Sequence, residues 1–96
     1  ELPELPALDD YIGMGCVPGG TERNHVAYQT RLPALSHREK SILCDPQTSG
    51  GLLIAVASDA LRETQQLLSS HGLPASVIGQ LSASRHSGPL IQLTTP

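Results

Sequence analysis

Apolar and polar positions follow two different rhythms along this chain. From Asp59 to His71, Ala60, Leu61, Thr64, Leu67 and Leu68 recur at helical spacing, which predicts a helix with one apolar side. Ser58 is placed to cap its start, Gly72 supplies a left-handed stop, and Pro74 lies just beyond. Leu61, Leu67 and Leu68 are the expected core residues of this helix. Just upstream, Leu52-Leu53-Ile54-Ala55-Val56-Ala57 is a continuous apolar run of strand length, expected to be buried on both faces. Ser76 to Leu81 and Leu90 to Leu93 predict two further strands, joined by the polar stretch Ser82 to Gly88.

The first half is less regular. Residues 1–8 repeat a Leu-Pro pattern suited to an extended edge segment, because proline cannot donate to a central ladder. Ala7 to Met14 predicts a short helix with Leu8, Tyr11 and Ile12 on one side. Gly13, Gly15 and Pro18-Gly19-Gly20 then predict a loop, with Thr21 capping a short turn through Asn24 to Tyr28. Ser36-His37-Arg38-Glu39 has the form of a capping box and starts a short helix ending near Leu43. Helices alternating with strands predict an α/β (α+β) domain: a mixed sheet with packed helices.

Composition narrows this further. The 96 residues suffice for one domain, and with no Phe or Trp and 2 Tyr its core must be aliphatic. The net charge is −3, and the six arginines and lysines are scattered, so nucleic acid is not an expected direct partner. No apolar run approaches the roughly 20 residues that span a bilayer, so no membrane partner is expected. Cys16 and Cys44 match neither a CxxC pair nor a zinc set; two free thiols in a reducing cytoplasm are expected. His25, His37, His71 and His86 are dispersed, so no metal site is expected, and His71 reads as a surface residue at a helix end. The chain opens on Glu1-Leu2-Pro3-Glu4 without an initiator methionine or signal-peptide pattern, and is expected to be a piece of a longer protein.

The candidate chemistry sits in Asp45-Pro46-Gln47-Thr48-Ser49-Gly50-Gly51. Thr48 and Ser49 offer hydroxyls, Gly50 and Gly51 permit close backbone approach, and Asp45 suits a metal ion or a hydroxyl. GxxxxGK[ST] is missing, and the loop leads toward a strand rather than a helix, so this is not a P-loop. On residues alone two readings stand: a ligand-facing loop, or a tight turn before a buried strand. Pro18-Gly19-Gly20-Thr21 is equally open, as a second ligand-side loop whose shape Asn24 fixes, or as glycines that end the preceding helix while Asn24 hydrogen-bonds the backbone. Arg23 and Arg31 are candidate contacts for a polyanion, with solvated surface arginines the commoner case.

Leu43 to Leu53 resembles the signature stretch of the selenophosphate synthetases. Gly15-Cys16-Val17-Pro18-Gly19-Gly20-Thr21-Glu22-Arg23-Asn24 is similar to that family's upstream Val-Pro-Gly-Gly-Thr-x-x-Asn motif. Leu2 to Leu8 and Val77-Ile78-Gly79-Gln80-Leu81 also match flanking segments, so the resemblance covers most of the chain. It implies a C-terminal domain of the aminoimidazole ribonucleotide synthetase type, partial over residues 1–96 and truncated at its N-terminal end. The N-terminal ATP-binding domain, with its reactive Cys or selenocysteine, would be absent. It also implies ATP and magnesium as cofactors, selenide as substrate, a homodimer, and Asp45, Gln47, Thr48, Ser49, Gly50 and Gly51 as cofactor-facing residues. No residue here matches a catalytic position of the family. Two alternatives are a related ATP-dependent enzyme, such as a thiamine monophosphate kinase or a hydrogenase-maturation synthetase, and a non-catalytic binding or interaction domain. If the missing opening helix normally covers the sheet, the chain should expose apolar surface and self-associate.

Overall fold

The computed structural model describes residues 2–84 and 87–94. Its elements are α1 (Leu8–Gly13), α2 (Gly19–Tyr28), a 3-10 turn (Gln29–Arg31), α3 (His37–Leu43) and α4 (Leu61–Ser70). The chain divides into two compact units: Glu4–Gly50 with the described residues after Ala83, and Gly51–Ala83 with residues 2–3.

In the first unit, α1 and α2 both pack on α3. The predicted capping box starts α3: Glu39 N–H donates to Ser36 Oγ at 3.2 Å, and Ser36 N–H donates to Glu39 Oε2 at 2.7 Å. Two of the helix's orphan donors are thereby satisfied. The Ser36 backbone N–H also holds the Glu39 carboxyl below its usual range. α2 differs from expectation. It begins at Gly19 with Pro18 as its N-cap in extended conformation, so Pro18-Gly19-Gly20 opens a helix rather than forming a loop. Thr21 is therefore not the cap. It lies in the first turn and is 2% exposed.

The seam between α2 and α3 is more polar than apolar. Thr21, Asn24 and His25 form the covered stripe of α2, and Ser41 and Cys44 are the buried residues of α3 and its end. Thr21 Oγ1 and His25 Nδ1 are buried without a hydrogen-bond partner, each a cost of about 1–3 kcal/mol. Ion pairs reinforce the packing from outside. Lys40 Nζ meets Glu22 Oε2 at 2.7 Å across α2 and α3, and Arg38 grips Asp9 on α1 and Glu4 at 2.5 and 2.6 Å. Hydrogen bonds from Lys40 and Arg38 hold Glu22 and Asp9 below the ordinary carboxylate range. Arg38, Asp9, Glu4 and Glu22 are exposed and Lys40 is half-buried, so each pair contributes little against solvent screening.

In the second unit, α4 is confirmed with shorter bounds than Asp59 to His71. Its N-cap is Ala60 and has no side-chain cap bond, so Ser58 is not the cap. Its end is as expected. Gly72 has φ 69°, Gly72 N–H donates to Ser69 O, and Leu73 N–H donates to Leu68 O, which together make a Schellman stop. Gln65 Nε2 then ties the following segment back by donating to Ala75 O at 2.8 Å. The expected core of α4 is not buried: Leu61 is 37% and Leu67 60% exposed, and Leu68 is half-buried.

Among the described residues there is no strand. The run 52–57, expected to be a strand buried on both faces, is neither helical nor paired, with Leu52 91% and Leu53 81% exposed. Residues 76–81 likewise lack a partner strand. The segment 90–93 makes two bonds without a ladder: the N–H groups of Leu90 and Ile91 both donate to Arg31 O, at 2.9 and 3.2 Å. A strand exists only through pairing with another, so apolar runs that find no partner remain irregular.

Candidate functional site

The two glycine-bearing stretches singled out in the sequence lie far apart along the chain, and the fold joins them. Asn24, in the second turn of α2, donates from Nδ2 to Cys44 O at 3.0 Å. That carbonyl belongs to the C-cap of α3, so the bond satisfies one of the acceptors a helix end leaves open. Asp45 follows immediately. Four residues before Asn24, Gly20 lies flat against Pro46: a Cβ at Gly20 would sit 2.7 Å from Pro46 Cγ, closer than atoms tolerate. Asn24 thus shapes the second stretch rather than its own, which the spacing of the motif alone did not reveal.

Beyond Pro46 the loop folds on itself. A Cβ at Gly50 would come within 2.6 Å of Gln47 Oε1, so the absence of a side chain at Gly50 makes room for Gln47. Asp45 is half-buried, whereas Gln47, Thr48, Ser49, Gly50 and Gly51 are exposed. The Asp45 carboxylate and the Thr48 and Ser49 hydroxyls make no hydrogen bond within the described residues, leaving them available to a polar ligand. As donor chemistry this suits an oxyanion: two hydroxyls, an amide, and backbone N–H groups at two glycines. It does not by itself suit a magnesium ion. No group of three or more potential ligands occurs among the described residues.

The other candidates separate. The Arg23 guanidinium lies close over the α2 start, within 3.9 Å of where a Gly19 Cβ would stand and 3.6 Å of one at Gly20. It is therefore near Pro46 and the second stretch, a placement sequence reasoning did not anticipate. Arg31 instead lines an open cleft of about 450 Å³ with Asn24, Tyr28, Cys44, Leu90 and Ile91. Cys16 is exposed and Cys44 buried, and both are free thiols. His71 is at the surface, its Nδ1 2.9 Å from Leu67 O. Among the described residues no helix is long and apolar enough to cross a membrane.

The class these residues define is a helical module that holds a polar, glycine-rich loop at its edge by side-chain and backbone contacts from a second glycine motif. By sequence the chain is homologous to the selenide, water dikinases. It is 47% identical over 92 residues to one from Yersinia pestis, covering 96% of this chain and 26% of the relative. It is 52% identical over 80 residues to one from Shewanella sp. (strain MR-4), covering 83% of this chain and 23% of the relative. The chain thus spans about a quarter of the length of the curated relatives it matches. No protein-family profile matches it. No solved structure matches it either.

Proposed function

We propose that this chain is the partial C-terminal domain of a selenide, water dikinase, an enzyme that makes selenophosphate from ATP, selenide and water and releases AMP and phosphate. Selenophosphate then supplies selenocysteine and selenouridine-tRNA synthesis. The observation that carries the reading is the joining of the two motifs: Asn24 and Gly20 of the first hold Cys44 and Pro46 of the second. Relatives bearing that enzyme's name align over nearly the whole chain, and none of the relatives named above is a thiamine monophosphate kinase or a hydrogenase-maturation synthetase.

In this reading the loop 45–51 is one wall of a site completed by the N-terminal ATP-binding domain. Thr48, Ser49 and the N–H groups of Gly50 and Gly51 donate to phosphate oxygens, and Gln47 adds a carboxamide. Such preorganised donors in a water-poor junction stabilise charge on a transferring phosphoryl group. Asp45 accepts from a hydroxyl or contributes a single ligand to magnesium, the other ligands coming from the N-terminal ATP-binding domain. No catalytic residue is assigned to this chain, and alone it has no dikinase activity. Residues 52–57, 76–81 and 90–93 become strands of a mixed sheet when their partners are present. Their content of Leu, Ile and Val supports this. A homodimer in the cytoplasm completes the proposal, the two free thiols agreeing with a reducing compartment.

The test is a chimera in which this chain replaces the homologous quarter of the Yersinia pestis enzyme. Selenide-dependent AMP formation at a rate near that of the parent supports the reading. A chimera that is folded by circular dichroism, binds ATP and still forms no AMP overturns it.

A further inference from the structure

We propose that Asn24 is a positioning residue for the loop 45–51, acting through one donated hydrogen bond, with the Gly20–Pro46 contact as its second anchor. The proposal deepens the reading above, since it concerns how that loop is aimed. The bond reaches the carbonyl of Cys44, so it fixes the peptide plane from which Asp45 leaves α3. Pro46 then has its φ restricted by its own ring, and the ring is seated on the bare backbone of Gly20. Two successive points on α2 thus set both the direction and the offset of the loop. Gln47, folded over Gly50, carries that setting to Thr48 and Ser49.

Both anchors lie on one rigid element, and this separates positioning from general support. Asn24 and Gly20 stand one helical turn apart on α2, a helix also tied to α3 by the Glu22–Lys40 ion pair. Losing the Asn24 bond leaves that ion pair, the α3 capping box and the Arg38 contacts in place. The chemistry required at position 24 is specific. A donor must face a carbonyl oxygen, so Asp of nearly the same shape presents a carboxylate to an acceptor and loses the bond.

The experiment compares Asn24→Asp and Pro46→Ala with the parent in the full chain by ¹⁵N relaxation. Backbone order parameters of Gln47–Gly50 near the rigid value of about 0.85 should fall below about 0.6 in both variants. Amides of α2 and α3 should keep their parent values. A loop as ordered in Asn24→Asp as in the parent overturns the proposal, as does loosening of α2 and α3 to the same degree. Should Asn24→Asp fail to fold, Asn24→Ala decides, because it removes the same donor without adding a charge. The same Asn24→Asp change in the Yersinia chimera should lower kcat/KM for ATP by about fivefold or more, the scale of one hydrogen bond, while the chimera stays folded at the assay temperature. A loosened loop with unchanged kinetics keeps the latch and removes the ligand role of the loop.

Discussion

Gly19 and Gly20 are adjacent, both helical, and sit in very different surroundings, so replacing each by alanine provides an internally controlled measurement. Alanine has the better helix propensity by up to about 1 kcal/mol in a helix interior, and less in a first turn. At Gly19 nothing opposes that gain: the nearest atom to a new Cβ is the mobile end of Arg23, at 3.9 Å. At Gly20 the new methyl would stand 2.7 and 3.0 Å from Cγ and Cβ of Pro46. A proline ring cannot swing aside as a long side chain does, so the backbone at 45–46 has to shift. Inserting a methyl into such a contact costs about 1–3 kcal/mol, which exceeds the propensity gain. Gly19→Ala is therefore expected to be neutral or slightly stabilising and Gly20→Ala destabilising, the two differing by about 1–3 kcal/mol. Urea unfolding followed by the helical circular dichroism signal, with resolved amide resonances of α2 and α3, reads the difference directly. Equal stabilities for the two variants would refute the packing of Pro46 on Gly20 and with it the junction of the two motifs.

Three further outcomes follow from the same structure. Ser36→Ala removes the cap of a seven-residue helix and should cost about 1 kcal/mol, measured by urea unfolding; a loss below the error of the titration would count against the capping box. Asp9, Glu22 and Glu39 all have carboxyl groups held below their ordinary values of 3.8, 4.5 and 4.5 by Arg38, Lys40 and Ser36 respectively. Their contribution is therefore present above those values and fades as pH falls through the lower folded ones, so the urea midpoint should be level from pH 7 to about 5 and drop below about pH 4. A midpoint that rises on acidification would contradict these pairings. Finally, the exposed apolar run 52–57 contains no charge and no proline, the composition that favours strand pairing between copies. The chain should self-associate at high concentration in sedimentation, and Leu53→Lys should restore the monomer; a monomeric parent would sink this expectation.

What could be read from the sequence was what neighbours along the chain decide. Ser36 and Glu39 cap each other within one turn, and Gly72 ends α4 through bonds to Leu68 and Ser69, so both features were readable in advance. Pro18-Gly19-Gly20 misled, because proline and glycine together usually mark a loop. Here proline serves as an N-cap and the glycines occupy the first helical turn, where Gly20 makes room for Pro46, far along the chain. Thr21 was misassigned as a consequence, since moving the helix start moved it from the cap into the covered seam. Ser58 failed as a cap for a simpler reason: the helix begins two residues later than the apolar spacing suggested.

The strands raise a different issue. A helix closes its hydrogen bonds within itself, so α4 forms although Leu61 and Leu67 bury little. A strand closes none, and an apolar run records only a disposition to pair. Leu52 to Ala57 carries that disposition strongly and remains exposed and unpaired. The loop before it behaves otherwise, because its anchors, Asn24 and Gly20, lie within the same compact unit as Cys44 and Pro46. The module therefore holds its polar loop by contacts it contains, while the apolar segment that follows depends on partners of its own. This difference in physical requirement explains why the glycine motifs come together here and the predicted sheet does not.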